Sequence, residues 1–352
     1  MRVQRNMILA ATLAFILAAC GSQPAAQPTS APAEPTAASQ PAGDQKLVVY
    51  SGRSESLVAP LFEQFTATTG IQVEARYGDT AELAATILEE GANSPADLFF
   101  AQDAGALGAL SAAGLLAQLP QATLDAVEPR FRSSQDNWVG ISGRARVVVY
   151  NTEQLQESDL PTSITGFVAP EWKGRMGWAP TNGSFQAFVT AMRQQLGEEA
   201  TREWIEGMLA NETKTYERNT AIVQAVAAGE IAVGFVNHYY LYQLQKESGD
   251  SLPVANYYPG QGDVGALVNI AGVGVLTSAA NPQAAQELID YLLSAEGQTY
   301  FAEQTFEYPL AAGVPADPRL RPLDEIETPA LDLNTLSDLQ GTLKLLQDVG
   351  AL

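Results

Sequence analysis

The sequence predicts an α/β protein of two lobes, and three observations carry that expectation. Short β-rich runs alternate with amphipathic helical stretches along most of the chain. A length of 352 residues accommodates two domains of about 150 residues each. Hydrophobic residues make up 46% and charged residues only 17%, which supplies a sizeable core and argues against wholesale disorder. No repeat at solenoid spacing is visible, so two lobes are the economical reading.

The chain opens with a segment that is not part of the fold. Arg2 and Arg5 precede an apolar run over residues 7–19, which ends at Cys20, the one cysteine. This is the pattern of an export signal, residues 1–19. The run is shorter than the roughly 20 apolar residues of a membrane helix and is followed by small residues. Leu17-Ala18-Ala19-Cys20 with Gly21 resembles a bacterial lipobox, which implies cleavage before Cys20 and lipidation there; an ordinary signal peptide with an incidental cysteine is the alternative. Residues 21–45 are mainly Ala, Pro, Ser, Thr and Gln without apolar periodicity, and read with Cys20 as a lipidated tether at 20–45.

The folded part begins at the strand candidate 46–50 (KLVVY). Leu57, Val58, Leu61, Phe62 and Phe65 then recur at helical spacing over 55–68 until Gly70 ends the helix. A strand is predicted at 71–77, a helix at 80–90 and a buried strand at 96–101, followed by small-residue helical sequence to 116. The second half predicts strands at 146–150, 175–178 and 231–236. Its helices are placed at 184–196, 201–209, 220–229 and from near His238 onward.

Charge and rare residues exclude several functions. Nineteen basic against 40 acidic residues give a formal net charge of −21, so nucleic-acid binding, which depends on a cationic surface, is not expected. One cysteine and one histidine, His238, remove disulfide frameworks, zinc ribbons, HExxH sites and Cys-His nucleophile pairs.

Several strands end in small polar turns that open helices: Ser51-Gly52-Arg53-Ser54, Thr181-Asn182-Gly183-Ser184 and Asn237-His238. Helix N-termini beyond the carboxyl ends of strands favour anionic groups. Each turn is also explained by Ser and Asn as good N-caps. The most informative stretch is Val236-Asn237-His238-Tyr239-Tyr240-Leu241-Tyr242. Asn237 is expected to end a strand and cap the next helix, placing Tyr239 and Tyr240 in its first turn. Phenolate oxygens there suit a hard cation such as Fe(III). Paired tyrosines also pack in cores and cleft walls, and the second pair, Tyr257-Tyr258, shows that the dipeptide alone is weak evidence.

Along nearly its whole mature length the sequence resembles ferric-ion-binding lipoproteins of ATP-driven importers, related to bacterial ferric-binding proteins with a transferrin-like bilobal fold. The matching segments are VVYSGR at 48–53, SPADLFFAQD at 94–103, SGRARVVVYNT at 142–152 and PEWKGRMGWAPTNGSF at 170–185. NHYYLY at 237–242, GALVNIAGVGVL at 265–276 and EYPL at 307–310 complete them. The resemblance implies a class II periplasmic-binding-protein fold with two crossover strands. One lobe would hold 46–146 and 269–319, the other 147–268 and 320–352.

By position, the resemblance implies Tyr239 and Tyr240 as Fe(III) ligands. Asn182, Gly183 and Ser184 would form the anion site, supported by Asn219 and Asn237. Ser54 and Gln102 stand where members of the family carry a histidine and a glutamate ligand, so the protein ligand set is thin. Gln102 or Asp103 is left as a weak oxygen donor, and a synergistic anion (carbonate, phosphate or citrate) takes more of the burden. Arg53 and Arg144 would compensate charge, or else pair with surface acids. Asp79 and Glu82 read as helix cap and solvated face, with a carboxylate for the site as the alternative.

The expected protein is thus an extracytoplasmic, lipid-anchored monomer that captures ferric iron and docks on an ABC-transporter permease with its ATPase. One rival is a binder of a small anion or organic solute on the same fold. An exported lipoprotein hydrolase is another, although no GxSxG elbow is present and any triad would have to pass through His238. A purely structural cell-surface role is disfavoured because nothing repeats.

Overall fold

The structure, a computed structural model, describes residues 46–249 and 251–352. The expected export signal, Cys20 and the tether lie outside them. The elements run β1 (Lys46–Ser51), α1 (Glu55–Thr69), β2 (Gln72–Tyr77), α2 (Thr80–Glu90), β3 (Leu98–Ala101), α3 (Ala104–Ala112) and α4 (Gln121–Leu124). Then come β4 (Val139–Asn151), β5 (Met176–Trp178), α5 (Gly183–Leu196), α6 (Glu198–Ala210), β6 (Lys214–Thr215), α7 (Asn219–Ala227), β7 (Val233–Asn237) and α8 (Tyr239–Ser248). The chain closes with β8 (Val254–Tyr257), β9 (Val268–Val275), α9 (Pro282–Leu293), α10 (Ala295–Tyr300), β10 (Tyr308–Pro309) and α11 (Leu339–Asp348).

The strands lie in the order β2-β1-β3-β9-β4-β7-β5-β6, with β8 and β10 also paired to β4. This is a mixed α/β arrangement. β1 runs parallel to β2 and β3, and β5 parallel to β6 and β7, while β9 and β7 flank β4 antiparallel. β4 joins the two halves. Its residues up to Ala145 pair with β9, and from Arg146 onward it pairs with β7 and β8. A single strand therefore passes from one half-sheet to the other at the Ala145–Arg146 peptide.

All 13 residues of β4 are buried, including Ser142, Arg144 and Arg146. The predicted strand at 146–150 covers less than half of this element. The missing part, VGISGRA, reads as polar and glycine-rich, the composition of a loop. In the fold, Ser142, Arg144 and Arg146 alternate along the strand and so share one face. That face is buried and polar, which is why apolar alternation does not reveal it.

Local signals fare better elsewhere. Helix α1 ends at Gly70, whose φ of 79° is left-handed and whose N–H donates to the Thr66 carbonyl. Helix α2 has the predicted bounds. In the second half an aromatic cluster forms the core: Trp178 meets Phe185 and Trp204 edge-on, and Phe167 and Trp204 both meet Phe235. Among the described residues, no helix is long and apolar enough to cross a membrane.

Helix α7 packs closely under β7, the strand that leads into α8. A Cβ at Gly234 would lie 2.1 Å from Ile222 Cγ2 and 3.2 Å from Val149 Cγ1, so helix α7 rests on bare backbone there. Gly234→Ala is expected to cost about 1–3 kcal/mol by overpacking. Urea unfolding measures it, and an unchanged midpoint would contradict this packing.

Candidate metal and anion site

A cleft of about 650 Å³ opens beside Tyr240, Asn182, Gly183, Gln102, Arg53 and Ser54. Helix N-termini surround it. Ser54 and Asp79 occupy the N-cap positions of α1 and α2, and neither side chain caps its own helix. Both are exposed and line the cleft, as does the exposed Glu82. The first amide N–H groups of both helices are therefore left uncapped by these side chains and can attract negative charge.

Tyr239 and Tyr240 occupy the first turn of α8, as their spacing predicts. Their rings lie 4.2 Å apart, centroid to centroid, at 32°. Tyr239 is buried and Tyr240 half-buried against the cleft. Burial, then the neighbouring Tyr240, drives the Tyr239 phenol well above its ordinary range; Arg53 and Arg144 pull it down and Glu307 adds to the rise. A cation taken up there has to displace the proton.

One expectation fails locally. Asn237 ends β7 but does not cap α8; His238 holds the N-cap position in helical conformation, with no side-chain cap bond. The reason is that Asn237 is claimed by a buried charge: its Oδ1 accepts from Arg146 Nη1 at 3.3 Å.

Three arginines are buried around the tyrosines. Arg53 forms a fully buried ion pair with Glu307, whose other oxygen accepts from Ser142. Burial lowers the Arg53 pKa, but Glu307 with the two tyrosines outweighs it and the net shift is upward. Arg144 donates to Ser184 Oγ (2.8 Å) and the Ile270 carbonyl (3.0 Å). Burial and Arg53 push its pKa down. Arg146, packed on the faces of Phe188 and Phe185, is brought by burial to about 9.

The turn before α5 gathers most of the expected anion site. Asn182 caps the helix by accepting from the Ser184 N–H (3.1 Å), and Asn219 Nδ2 donates to the same oxygen at 3.4 Å. Ser184 Oγ accepts from both Arg144 and Gln102 Nε2, the latter at 3.1 Å. A Cβ on Gly183 would meet only Asp103 Oδ2, at 3.8 Å, so the backbone is open on the side facing that carboxyl. Asp103 is buried and caps α3 through Ala106 N–H. Burial raises its pKa against Ala106, Arg144 and Gly105.

Buried donors and acceptors remain unmatched within the protein: Arg53 Nε and Nη1, Arg144 Nε, Asn219 Oδ1 and Asn237 Nδ2. The donors among them, Arg53 Nε and Nη1, Arg144 Nε and Asn237 Nδ2, fit an oxygen-rich anion, and the backbone at Gly183 leaves room for one to approach. Among the described residues no group of three or more His, Cys, Asp or Glu gathers to hold a metal. The cleft lining offers the Tyr240 phenol together with scattered oxygens of Ser54, Asp79, Glu82, Gln102 and Asn182.

Sequence reasoning missed Glu307 and Arg146. Glu307 lies 254 positions from the arginine it neutralises, and Arg146 is hidden in β4; the i, i+2, i+4 spacing of Ser142, Arg144 and Arg146 was the available signal. His238 is no catalytic base. Its Nδ1 accepts from the Ala145 N–H (3.1 Å) and its Nε2 donates to the Phe306 carbonyl (2.8 Å). Burial lowers its pKa to about 4.

Two half-sheets joined through β4, with a polar cleft bordered by helix N-termini, suit a solute-binding protein, and residues 60–327 match the bacterial extracellular solute-binding protein family. The chain belongs to that family. More particularly, it is 36% identical over 311 residues to the Fe(3+)-binding periplasmic protein of Serratia marcescens, covering 88% of this chain and 91% of that one. The major ferric iron-binding protein of Neisseria meningitidis serogroup B is 36% identical over 309 residues, 86% of this chain and 92% of its own. Iron-bound HitA from Pseudomonas aeruginosa superposes with a TM-score of 0.83 at 38% identity, over 87% of this chain and 99% of that one. The Trichodesmium protein IdiA (FutA), in complex with iron and citrate ligands, gives 0.74 at 32% identity over 87% and 99%. The fold is accordingly the two-lobed α/β fold of ferric-binding periplasmic proteins.

Ser184→Ala removes the acceptor shared by Arg144 and Gln102. Leaving a buried guanidinium short of a partner is expected to cost about 1–3 kcal/mol. Denaturant titration checks it, and an unchanged midpoint would show that the hydroxyl does not hold the two side chains.

Proposed function

We propose that this protein captures Fe(III) together with an exogenous anion in the cleft and passes it to an ABC importer. Tyr239 and Tyr240 supply phenolate ligands. Asn182, Gly183 and Ser184 receive the anion, assisted by Asn219, Asn237, Arg53 and Arg144. Gln102, Asp103 and Ser54 stand close enough to the cleft to complete the surroundings. The observation that carries this reading is the adjacent, tilted tyrosine pair among buried arginines that keep some donors without a partner in the protein.

Charge decides the nature of the co-ligand. Arg53, Arg144 and Arg146 bring three guanidiniums, and Glu307 is the carboxylate paired with one of them. A trivalent cation added to two phenolates leaves the cleft more positive still. A multiply charged anion such as carbonate, phosphate or citrate offsets that excess and fills the remaining coordination positions.

The lobes are read as 46–146 with 269–319 and 147–268 with 320–352, closing over the cargo by motion about the crossing strands. Lipid on Cys20 would hold the protein at the cell membrane, where the closed form docks as a monomer on the permease and its ATPase. No bond of the cargo is made or broken covalently by the protein, consistent with a solute-binding family and with a histidine committed to backbone partners.

A second reading, capture of a small anion alone, draws on the same unmatched arginine donors. Titrating metal-free protein with ferric citrate separates the two: phenolate coordination produces a visible charge-transfer band, whereas an anion binder stays colourless. The double variant Tyr239→Phe, Tyr240→Phe is expected to lose that band. Its iron affinity should drop by more than about 100-fold, the upper range for losing an outer partner alone. Retention of the parent's affinity would refute the phenolate site.

A further inference from the structure

Glu307 reaches Arg53 by way of an unusual run of backbone. Phe301–Thr305 is one turn of π-helix, a rare form that concentrates at functional sites. Phe306 follows at φ 57° and ψ 31°, a left-handed conformation that costs a bulky side chain about 1–3 kcal/mol. Both Phe306 and Glu307 donate their N–H to the Phe301 carbonyl. Such strain persists only where neighbouring contacts over-determine it.

His238 supplies the contact. Fully buried, it donates from Nε2 to the carbonyl of Phe306 itself, while Nδ1 takes the Ala145 N–H at the point where β4 changes partners. Its ring stacks on Tyr308 at 4.6 Å and meets Tyr239 edge-on at 5.7 Å. Its own N–H donates to the Ala145 carbonyl (2.9 Å), and its carbonyl accepts from Asn256 (2.8 Å). One flat side chain thus sits between the tyrosine pair, the strand joining the half-sheets and the residue before Glu307. Helix α8 also touches the π-turn directly, through Lys246 to Gln304 at 3.0 Å.

We propose that His238 is a positioning residue for the iron site: it holds Phe306 in its left-handed turn, so that Glu307 reaches Arg53 and Ser142 and the Arg53 guanidinium is fixed beside Tyr239 and Tyr240. The inference rests on the Fe(III) reading above. It gives the single histidine a role that is neither ligand nor base.

The test uses the full chain loaded with ferric citrate, reading the charge-transfer maximum and the rate of iron loss to an excess chelator, with unfolding midpoints to establish that each variant is folded. His238→Phe keeps the stacking and loses both bonds; iron loss about 10–100-fold faster, with a displaced band, is expected. His238→Gln, which can still donate towards Phe306, should lie nearer the parent. Glu307→Gln should reproduce the loss, and combining it with His238→Phe should add little, because both act through one path. Folded His238→Phe or Glu307→Gln protein that keeps the parent's band and release rate, or two losses that multiply, would overturn the inference. If His238→Phe does not fold, His238→Leu, which likewise loses both bonds, takes its place with the same expected and overturning results. A parent protein without a charge-transfer band would sink the iron reading and this inference together, whereas a band in the parent with unaltered variants sinks the inference alone.

Discussion

A guanidinium taken out of water costs several kcal/mol unless charge or lone pairs replace its hydration, and three of them are buried around the tyrosine pair, with Arg53 also lining the cleft. Each is met differently. Arg53 has Glu307, Arg144 has a serine hydroxyl and a backbone carbonyl, and Arg146 has an amide oxygen and two aromatic faces. Only the first is neutralised by a carboxylate within the protein. The remaining charge is held by the fold with donors left unmatched, Arg53 Nε and Nη1 and Arg144 Nε.

The scaffold that aims these groups is regular. Ser142, Arg144 and Arg146 project from one face of β4 because alternate residues of a strand do so. The tyrosines project from the first turn of α8 because β7 ends beside β4 at Asn237. Helix N-termini contribute the rest, each carrying about half a positive charge without any ionised side chain. Buried guanidiniums thus stand beside phenols within a strongly acidic chain, and the phenols become anionic only when a cation replaces their protons. Under the proposed function, cation and anion uptake are thereby tied together: each relieves the electrostatic cost that the other leaves.

Legibility in the sequence followed the range of the interactions. Helix α2 and the end of α1 at Gly70 are governed by neighbouring residues, and local pattern located both. The tyrosine pair at a helix start was legible for the same reason, since strand, turn and helix occupy one short stretch. β4 was half lost because its buried face is polar, and the partners that permit such burial come from β9, β7 and Glu307. Asn237 was misassigned as a cap because a local rule competed with Arg146, which is distant in sequence and adjacent in space. His238 looked like a candidate base as the one imidazole, yet both its nitrogens are spent on backbone groups of two different segments. Such commitments arise only after the chain has folded.

The contrast between surface and cleft bears on how a solute is selected. The chain's net charge of −21 acts over roughly a Debye length, about 8 Å at physiological salt. It attracts cationic species and repels free anions at that range. The arginines act at contact distance, where screening by salt is weak and hydrogen-bond geometry decides. An anion travelling alone meets repulsion before it reaches those donors, whereas an anion bound to a trivalent metal carries less net charge through the outer field. On the proposed reading it then exchanges part of its coordination shell for the phenolates inside. The two layers would together favour a metal–anion pair over either component, and neither layer needs a carboxylate cluster of the kind that would also admit calcium or magnesium.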